Sequence, residues 1–119
     1  MLGLGTDIIE IERIRAAMQR KGFAERVFTE QERAWLSSSG KNMEESAAGL
    51  WCAKEAIAKA LGTGFRNGLN MCDIEIGHTE LGAPIVLKPH AGFLLSISHC
   101  KAYATATAIL LQEVSDAEH

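Results

Sequence analysis

Glu55 and Lys59 are the two charged side chains whose spacing first suggests chemistry. They stand four positions apart in segment 51–62, where alanine, leucine, lysine and glutamate, all strong helix formers, predominate. Residues four apart share one face of a helix, so the carboxylate and the amine project to the same side. The pair is suited to hold a cation and an anion; the alternative is a surface ion pair worth roughly 0.3–0.5 kcal/mol.

Asp7 is a third charged side chain with an unusual setting, because it stands in the largely apolar segment 2–11. A buried carboxylate is costly unless it is paired or binds a metal, although a hydrogen-bonded turn aspartate is an equally good reading. Asp7 and Glu55 together supply hard oxygen ligands, which suit Mg²⁺ or Mn²⁺. Lys59 would then face the phosphates of the same ligand as a point charge.

A third cluster, Ser96-Ile97-Ser98-His99, places hydroxyl groups and an imidazole at the end of a predicted strand. Adjacent strand residues point to opposite faces, so Ser98 and His99 are poorly placed to act as nucleophile and base. Hydrogen bonding to a phosphate fits the cluster better. The alternative is a histidine that is solvated in a hairpin.

The elements that would position these groups predict an α+β fold, mainly an antiparallel sheet packed against a long alanine-rich helix. Thr29 and Glu32 form a capping box that opens a helix, and Gly62 is placed to end the long one. The alternating Ala104, Ala106 and Ala108 predict a flat strand face for a helix of small residues. We expect helices over 12–21, 29–36 and 43–61, and strands over 2–11, 73–76, 85–87, 93–98 and 103–111.

Composition narrows the class of protein. The chain has 119 residues, and we expect one domain over 1–119 with a flexible tail over 112–119. A net charge of −3 argues against a nucleic-acid partner. We expect no membrane span and no cleavable signal. Cys52, Cys72 and Cys100 show no metal-ligand spacing, which predicts buried thiols in a reducing cytoplasm.

Basic side chains concentrate between positions 13 and 26, whereas most acidic ones lie elsewhere in the chain. A helix with this basic cluster can attract a partner whose surface is strongly negative. The alternative is that the cluster is only the solvated face of the helix. The cluster consists of Arg13, Arg15, Arg20, Lys21 and Arg26, with Glu25 among them.

Three motifs, in order along nearly the whole chain, together resemble those of one family. They are Gly5-Thr6-Asp7-Ile8 with Ile11-Glu12-Arg13, then segment 51–64, and then Ser96-Ile97-Ser98-His99 with Tyr103-Ala104. The pattern resembles holo-acyl-carrier-protein synthase, the short, single-module branch of the 4′-phosphopantetheinyl transferases. The resemblance implies the fold of those transferases, assembled as a homotrimer with active sites between subunits.

The resemblance also implies an activity that supports fatty-acid biosynthesis in the cytoplasm. A serine of apo-acyl carrier protein attacks the pyrophosphate of coenzyme A, and adenosine 3′,5′-bisphosphate leaves. By motif position, Asp7 and Glu55 match Mg²⁺ ligands, and these two with Lys59 match the catalytic groups. Lys59, His99 and Ser98 match groups near the coenzyme A phosphates. The carrier protein would dock on Arg13, Arg15 and Arg20.

Leu50 departs from the family pattern, because many relatives carry an arginine there that contacts a coenzyme A phosphate. We expect either that coenzyme A is held more weakly or that Arg66 or a neighbouring subunit substitutes for the arginine. The serine proton goes either to a carboxylate such as Glu55 or to a water at the metal, and the sequence leaves both routes open. Two other classes remain as alternatives: a module that binds coenzyme A without catalysis, and a purely structural trimer.

Overall fold

The computed structural model describes residues 1–66 and 68–113. The predicted tail therefore lies largely outside the described residues, as does Asn67 of the glycine-rich segment that follows the long helix. The described elements, in chain order, are β1 (Gly3–Glu10), α1 (Ile11–Met18), α2 (Phe23–Val27), α3 (Glu30–Ser37), α4 (Met43–Ala60), β2 (Glu75–His78), β3 (Pro84–Lys88), β4 (Phe93–His99) and β5 (Tyr103–Leu110), with single 3-10 turns at Gly40–Asn42 and Met71–Asp73.

The predicted antiparallel sheet on a long helix is confirmed. Its order is β1-β5-β4, so the first and last described strands pair along their whole length, from Gly3 opposite Leu110 to Glu10 opposite Tyr103. β2 and β3 form a separate antiparallel pair. α4 lies across β1 and β5, and its bounds differ by one residue from those predicted.

The contact between α4 and the sheet is made by residues almost without side chains. A Cβ atom added to Gly3 would lie 1.9 Å from the carbonyl oxygen of Ala60, and one added to Gly5 would lie 1.9 Å from that of Ala56. On β5, the predicted alanine face is fully buried beneath the helix. Backbone therefore approaches backbone, and this close approach fixes which residues of β1 stand beside which residues of α4.

Several boundaries differ from the sequence-based expectation. The helix predicted over 12–21 ends at Met18, and the chain reverses at Gly22, where φ is +83°. Gly22 thus opens a further helix, α2, which was not predicted. The strand predicted from Asp73 begins at Glu75, because the Asp73 carboxylate accepts a hydrogen bond from the Asn70 amide and closes a 3-10 turn.

The predicted capping box is present, whereas the prediction of buried cysteines holds for one of the three. The capping box is confirmed, with the Thr29 hydroxyl accepting from the Glu32 amide at 3.2 Å and the Glu32 carboxylate accepting from the Thr29 amide at 2.9 Å. All three cysteines are free, but only Cys52 is buried, and Cys100 is exposed in the turn after β4. Within residues 1–66 and 68–113, no helix is long and apolar enough to cross a membrane.

Gly5→Ala tests the close approach of helix and strand. The new methyl group would meet backbone at 1.9 Å, which cannot move aside, so we expect the free energy of unfolding to fall by about 3 kcal/mol. Urea denaturation measures this. Gly49→Ala is the matched control, because its methyl meets only the Ile97 side chain, at 3.0 Å, and alanine favours helix. A Gly5 variant as stable as the control would contradict the backbone contact.

Candidate active site

Asp7 and Glu55 lie side by side at the interface between β1 and α4. Asp7 follows Gly5 by two residues and so faces the same side of the strand, towards the helix. The Lys59 ammonium lies 3.5 Å from the Asp7 carboxylate and donates to the carbonyl of Thr6 at 2.9 Å. The Asp7 side chain is 18% exposed and that of Lys59 is 52% exposed, so the group opens to solvent on the lysine side.

The two carboxylates influence each other. Partial burial raises the pKa of Glu55, the charge of Asp7 raises it further, and the charge of Lys59 opposes both effects. No hydrogen bond or ion pair to Glu55 is formed by any residue that the structure describes. Glu55 is thus a half-buried carboxylate beside another carboxylate, without a hydrogen bond to the described residues.

This donor set fits Mg²⁺. The described part of the chain contains no group of three or more histidine, cysteine, aspartate or glutamate residues able to hold a metal. Two adjacent carboxylates are nevertheless the usual protein contribution to an Mg²⁺ site, where water and substrate phosphates supply the remaining oxygens. A divalent cation between them would also remove the repulsion that raises the Glu55 pKa.

Cys52 forms the floor beneath this pair. It is fully buried, and its thiol donates a hydrogen bond to the carbonyl of Ala104 at 3.4 Å. Burial, followed by the charge of Asp7, raises the pKa of Cys52 to about 12. The thiol therefore stays protonated at physiological pH, and it is neither a nucleophile nor a thiolate ligand.

His99 and Ser98 lie on opposite faces of the sheet, as the alternation predicts. In the register of the sheet, Asp7 stands opposite Ala106, and Ala106 opposite Ile97 of β4. His99 follows Ile97 on the helix side, so two strand spacings, roughly 10 Å, separate its strand from that of Asp7. Ser98 projects from the face that α4 leaves uncovered. The structure thus brings Asp7, Glu55 and Lys59 together, with His99 apart and Ser98 on the other side.

His99 lines a cavity of about 210 Å³ beside the amino-terminal half of α4. Leu50 is 1% exposed in its wall, so the position where the family resemblance led us to expect an arginine is packed as core here. Glu45 also lines the cavity, and its Oε2 atom is buried without a partner among the described residues. Arg66, the expected substitute for the arginine, is exposed and does not line this cavity. Sequence reasoning had not singled out Glu45.

A groove of about 370 Å³ lies between α1, α2 and α4 and contains two of the predicted docking residues, Arg13 and Arg20. Its aromatic wall is formed by Phe23 and Trp51, whose rings stack with centroids 5.9 Å apart. Arg20 lies over the Phe23 ring at 5.6 Å. We define these four residues as the basic groove. The aromatic wall was missed because no sequence pattern indicated α2.

Arg15, the third predicted docking residue, lies outside the basic groove. Its guanidinium donates to the Glu44 carboxylate at 2.9 Å and also pairs with Glu12. Two acidic neighbours already neutralise its charge within the chain. Arg13, in contrast, makes no hydrogen bond or ion pair with the residues that the structure describes, so its charge faces solvent.

Comparison with known proteins places the chain in a family. The family model described as the 4′-phosphopantetheinyl transferase superfamily matches residues 3–108. A holo-[acyl-carrier-protein] synthase of Fusobacterium nucleatum is 41% identical, over 93% of this chain and 99% of its own. That of Protochlamydia amoebophila is 44% identical, over 91% and 96%.

Solved structures agree with the sequence relatives. A holo-(acyl-carrier-protein) synthase from Bacillus anthracis, in complex with CoA (3′,5′-ADP), superposes with a TM-score of 0.85 at 38% identity, covering 94% of this chain and 97% of its own. The Helicobacter pylori synthase, in complex with coenzyme A, gives 0.82 at 28% identity, covering 91% and 99%. The chain therefore belongs to the 4′-phosphopantetheinyl transferase superfamily. Within that class it is an enzyme of the holo-[acyl-carrier-protein] synthase branch.

The titration of Glu55 tests the arrangement of the three charges without any ligand. Asp7→Asn removes a charge that raises the Glu55 pKa, so we expect that pKa to fall, whereas Lys59→Met should raise it further. NMR of the side-chain carboxyl carbon measures both shifts. Glu80→Gln, at an exposed turn, is the control and should leave the Glu55 titration unchanged.

The same shift has a consequence for stability. A carboxyl group whose pKa is higher in the folded state stabilises the fold below its ordinary pKa, and that contribution is lost as pH rises through the raised value. Asp7→Asn should reduce this loss in the metal-free protein. If the Glu55 pKa moved in the same direction in Asp7→Asn and in Lys59→Met, the result would contradict this arrangement of the three charges.

Proposed function

We propose that this enzyme transfers the 4′-phosphopantetheine group of coenzyme A to a serine of apo-acyl carrier protein, with Mg²⁺, and releases adenosine 3′,5′-bisphosphate. The observation that carries the proposal is the placement of Asp7 beside Glu55 with Lys59 next to them. Two carboxylates and one ammonium are the groups that a divalent cation and a pyrophosphate require. The coenzyme A complexes of its relatives support the choice of donor.

The reaction needs positioning and neutralisation of charge more than covalent help from the protein. Asp7 and Glu55 would hold Mg²⁺, and when bound it supplies charge that stabilises the pyrophosphate oxygens and the leaving bisphosphate. Lys59, at the solvent-facing side of the pair, would hold the donor phosphates. The serine proton would go to Glu55, directly or through one water, or to a water at the metal.

The basic groove would receive the carrier protein. Arg13 and Arg20 offer positive charge beside the apolar surface of Phe23 and Trp51, which suits an acidic protein surface that also exposes an apolar side chain. The groove shares Ile9 of β1 with the neighbourhood of Asp7, so a docked serine approaches the carboxylate pair from the α1 side. Arg15 would contribute less, since Glu12 and Glu44 hold its guanidinium.

A second copy of the chain would cover the open face of the sheet, as part of a homotrimer. Leu4 is 57% exposed and Leu94 is 56% exposed, and the register aligns both with Ile109 in one apolar row across three strands. Ile8 is 66% exposed on the same face, near Ser98. Exposed apolar rows of this kind are typical of interfaces between subunits. Covering them would also bring Ser98 to the edge of a neighbour's site.

Leu4→Glu tests this assembly. A charge in the apolar row cannot be buried without a partner, so we expect the trimer to dissociate, with the loss read as a lower mass in size-exclusion chromatography with light scattering. Leu81→Glu is the matched control, because Leu81 is 99% exposed in the β2–β3 turn, away from the row. A wild-type protein that is monomeric at assay concentration would refute the trimer directly.

The setting of the reaction follows from the donor and the acceptor. We infer that a single domain over 1–119 performs it in the cytoplasm, in support of fatty-acid synthesis, where carrier proteins hold growing acyl chains. Three unpaired thiols are consistent with a reducing compartment.

Incubation with coenzyme A, Mg²⁺ and apo-acyl carrier protein, followed by mass spectrometry of the carrier, tests the transfer. We expect one phosphopantetheine to be added, and Glu55→Gln to lower turnover by a factor on the order of 10²–10⁴, the usual share of a catalytic acid–base group. Glu80→Gln makes the same chemical change at an exposed turn and should be fully active. Metal-dependent binding of coenzyme A without transfer would favour a binding module and overturn the proposal.

A further inference from the structure

Lys54 is a buried charged residue that the proposed reaction does not use. Its side chain is 0% exposed, and its ammonium lies 2.6 Å from the carboxylate of Glu32, which is 1% exposed. The ammonium also donates to the carbonyl of Val27 at 2.7 Å and to that of Met71 at 2.9 Å. An ammonium has three hydrogens to donate, and all three have acceptors here.

Glu32 is as fully engaged as its partner. Its carboxylate caps α3 through the Thr29 amide and accepts the Ile76 amide of β2 at 2.8 Å. A buried ion pair often contributes no more stability than an apolar pair of the same size. Its best-attested use is to specify one arrangement of the elements it joins. The elements joined by Lys54 therefore indicate what this pair specifies.

The element that most needs an anchor is α2. It has five residues, fewer than a helix needs to be stable in isolation. It nevertheless carries Phe23, the wall of the basic groove, and Val27, whose carbonyl belongs to the last turn. A cation at the carboxyl-terminal end of a helix is favourable, because the free carbonyl groups there carry partial negative charge.

Two contacts attach α2 to α4, and their spacing matches. Phe23 and Val27 stand four apart on α2, and Trp51 and Lys54 stand three apart on α4, so each pair shares one helix face. The ring stack of Phe23 on Trp51 forms one attachment, and the hydrogen bond from Lys54 to Val27 forms the other. Two attachments fix the rotation of a short helix as well as its position, which one attachment cannot do.

We propose that Lys54 is a positioning residue for the basic groove: it fixes α2 on α4, so that the groove keeps the shape that an acidic carrier protein binds. The inference rests on the proposed function for the identity of the partner. It goes beyond that function because it assigns a role to a residue that touches neither the carrier protein nor coenzyme A. Loss of Lys54 should therefore weaken the binding of carrier protein and leave the binding of coenzyme A unchanged.

The test compares Lys54→Met/Glu32→Gln with Glu32→Gln alone. The amide side chain that Glu32→Gln introduces can still cap α3, and both carbonyl bonds of Lys54 stay in place, so the single variant is the matched control. Methionine fills the space of the lysine stem without donating, and the paired Glu32 change avoids leaving an unpaired buried carboxylate. Lys54→Gln in the same background keeps a shorter, neutral donor, and it serves if the methionine variant does not fold.

Steady-state kinetics provide the first measurement. We expect the KM for carrier protein to rise on the order of tenfold in the double variant, the size that follows from losing one or two hydrogen bonds of a charged group. The KM for coenzyme A and kcat at saturating carrier should stay within about twofold of the control. The KM for carrier protein of the Lys54→Gln variant should lie between those of the control and the double variant. Arg13→Glu provides the reference value for a groove that has lost a direct contact with the carrier protein.

Hydrogen exchange provides the second measurement, independent of activity. The amides of Arg26 and Phe28 bond to Gly22 and Ala24 within α2 and its cap, so they should exchange faster in the double variant than in the control. Faster exchange with an unchanged KM for carrier would overturn the inference and leave the proposed function intact. A parallel rise in both KM values would also overturn it. Absence of transfer by the wild-type enzyme would instead refute the proposed function, while the exchange result would still report on α2.

Discussion

The close approach of α4 to β1 is the constraint on which the rest of the structure depends. Two glycines on the strand, Gly3 and Gly5, let the helix backbone lie where a Cβ atom would otherwise be. Alanines 104, 106 and 108 of β5 continue the same flat surface. Without this surface the helix would stand further from the sheet, and the carboxylates of Asp7 and Glu55 would no longer influence each other. The smallest residues of the chain thus bring the side chains of Asp7 and Glu55 together.

The charges on α4 divide into two kinds, and the hydrogen bonds show the division. Lys54 is buried with all of its donors satisfied inside the fold, and its charge specifies how the surrounding elements pack. Glu55, the next residue, is half-buried and has no hydrogen bond to the described residues, and its pKa is raised. A raised pKa means that the environment of Glu55 disfavours its charged form. The hydrogen bonds of Lys54 therefore tie it to the packing of the fold, whereas Glu55 has none to the described residues.

The parts predicted correctly from sequence were those encoded by nearby residues. The alanine-rich composition predicted α4 to within one residue, and the capping box placed the start of α3 at Thr29. The alternation of β5 predicted its buried face. The grouping of Asp7 with Glu55 came from the chemistry of the two side chains together with that packing, rather than from any local signal. The catalytic and binding roles of these residues remain predictions.

The missed features depend on contacts between distant parts of the chain. α2 is too short to show a periodic pattern, and Lys54, which anchors it, lies 27 positions away from Val27. The pairing of Arg15 with Glu44 spans 29 positions, so the sequence could show a basic cluster but not that one member is already neutralised. Spacing along a helix reveals which side chains share a face. It does not reveal what another element brings to that face.

One copy of the chain carries the residues predicted to bind ligands on both faces of a three-stranded sheet, and this favours the proposal of a site completed by a second copy. Asp7 and His99 lie on the helix side, on β1 and β4, while Ser98 lies on the open side beside Ile8. Lys59 and Ser98 of the same chain therefore lie on opposite sides of the sheet. A neighbouring copy packed on the apolar row would cover Leu4 and Leu94 and would meet Ser98 on the same open face. The exposed apolar row and the separation of Ser98 from the carboxylate pair are therefore two consequences of the same open sheet face.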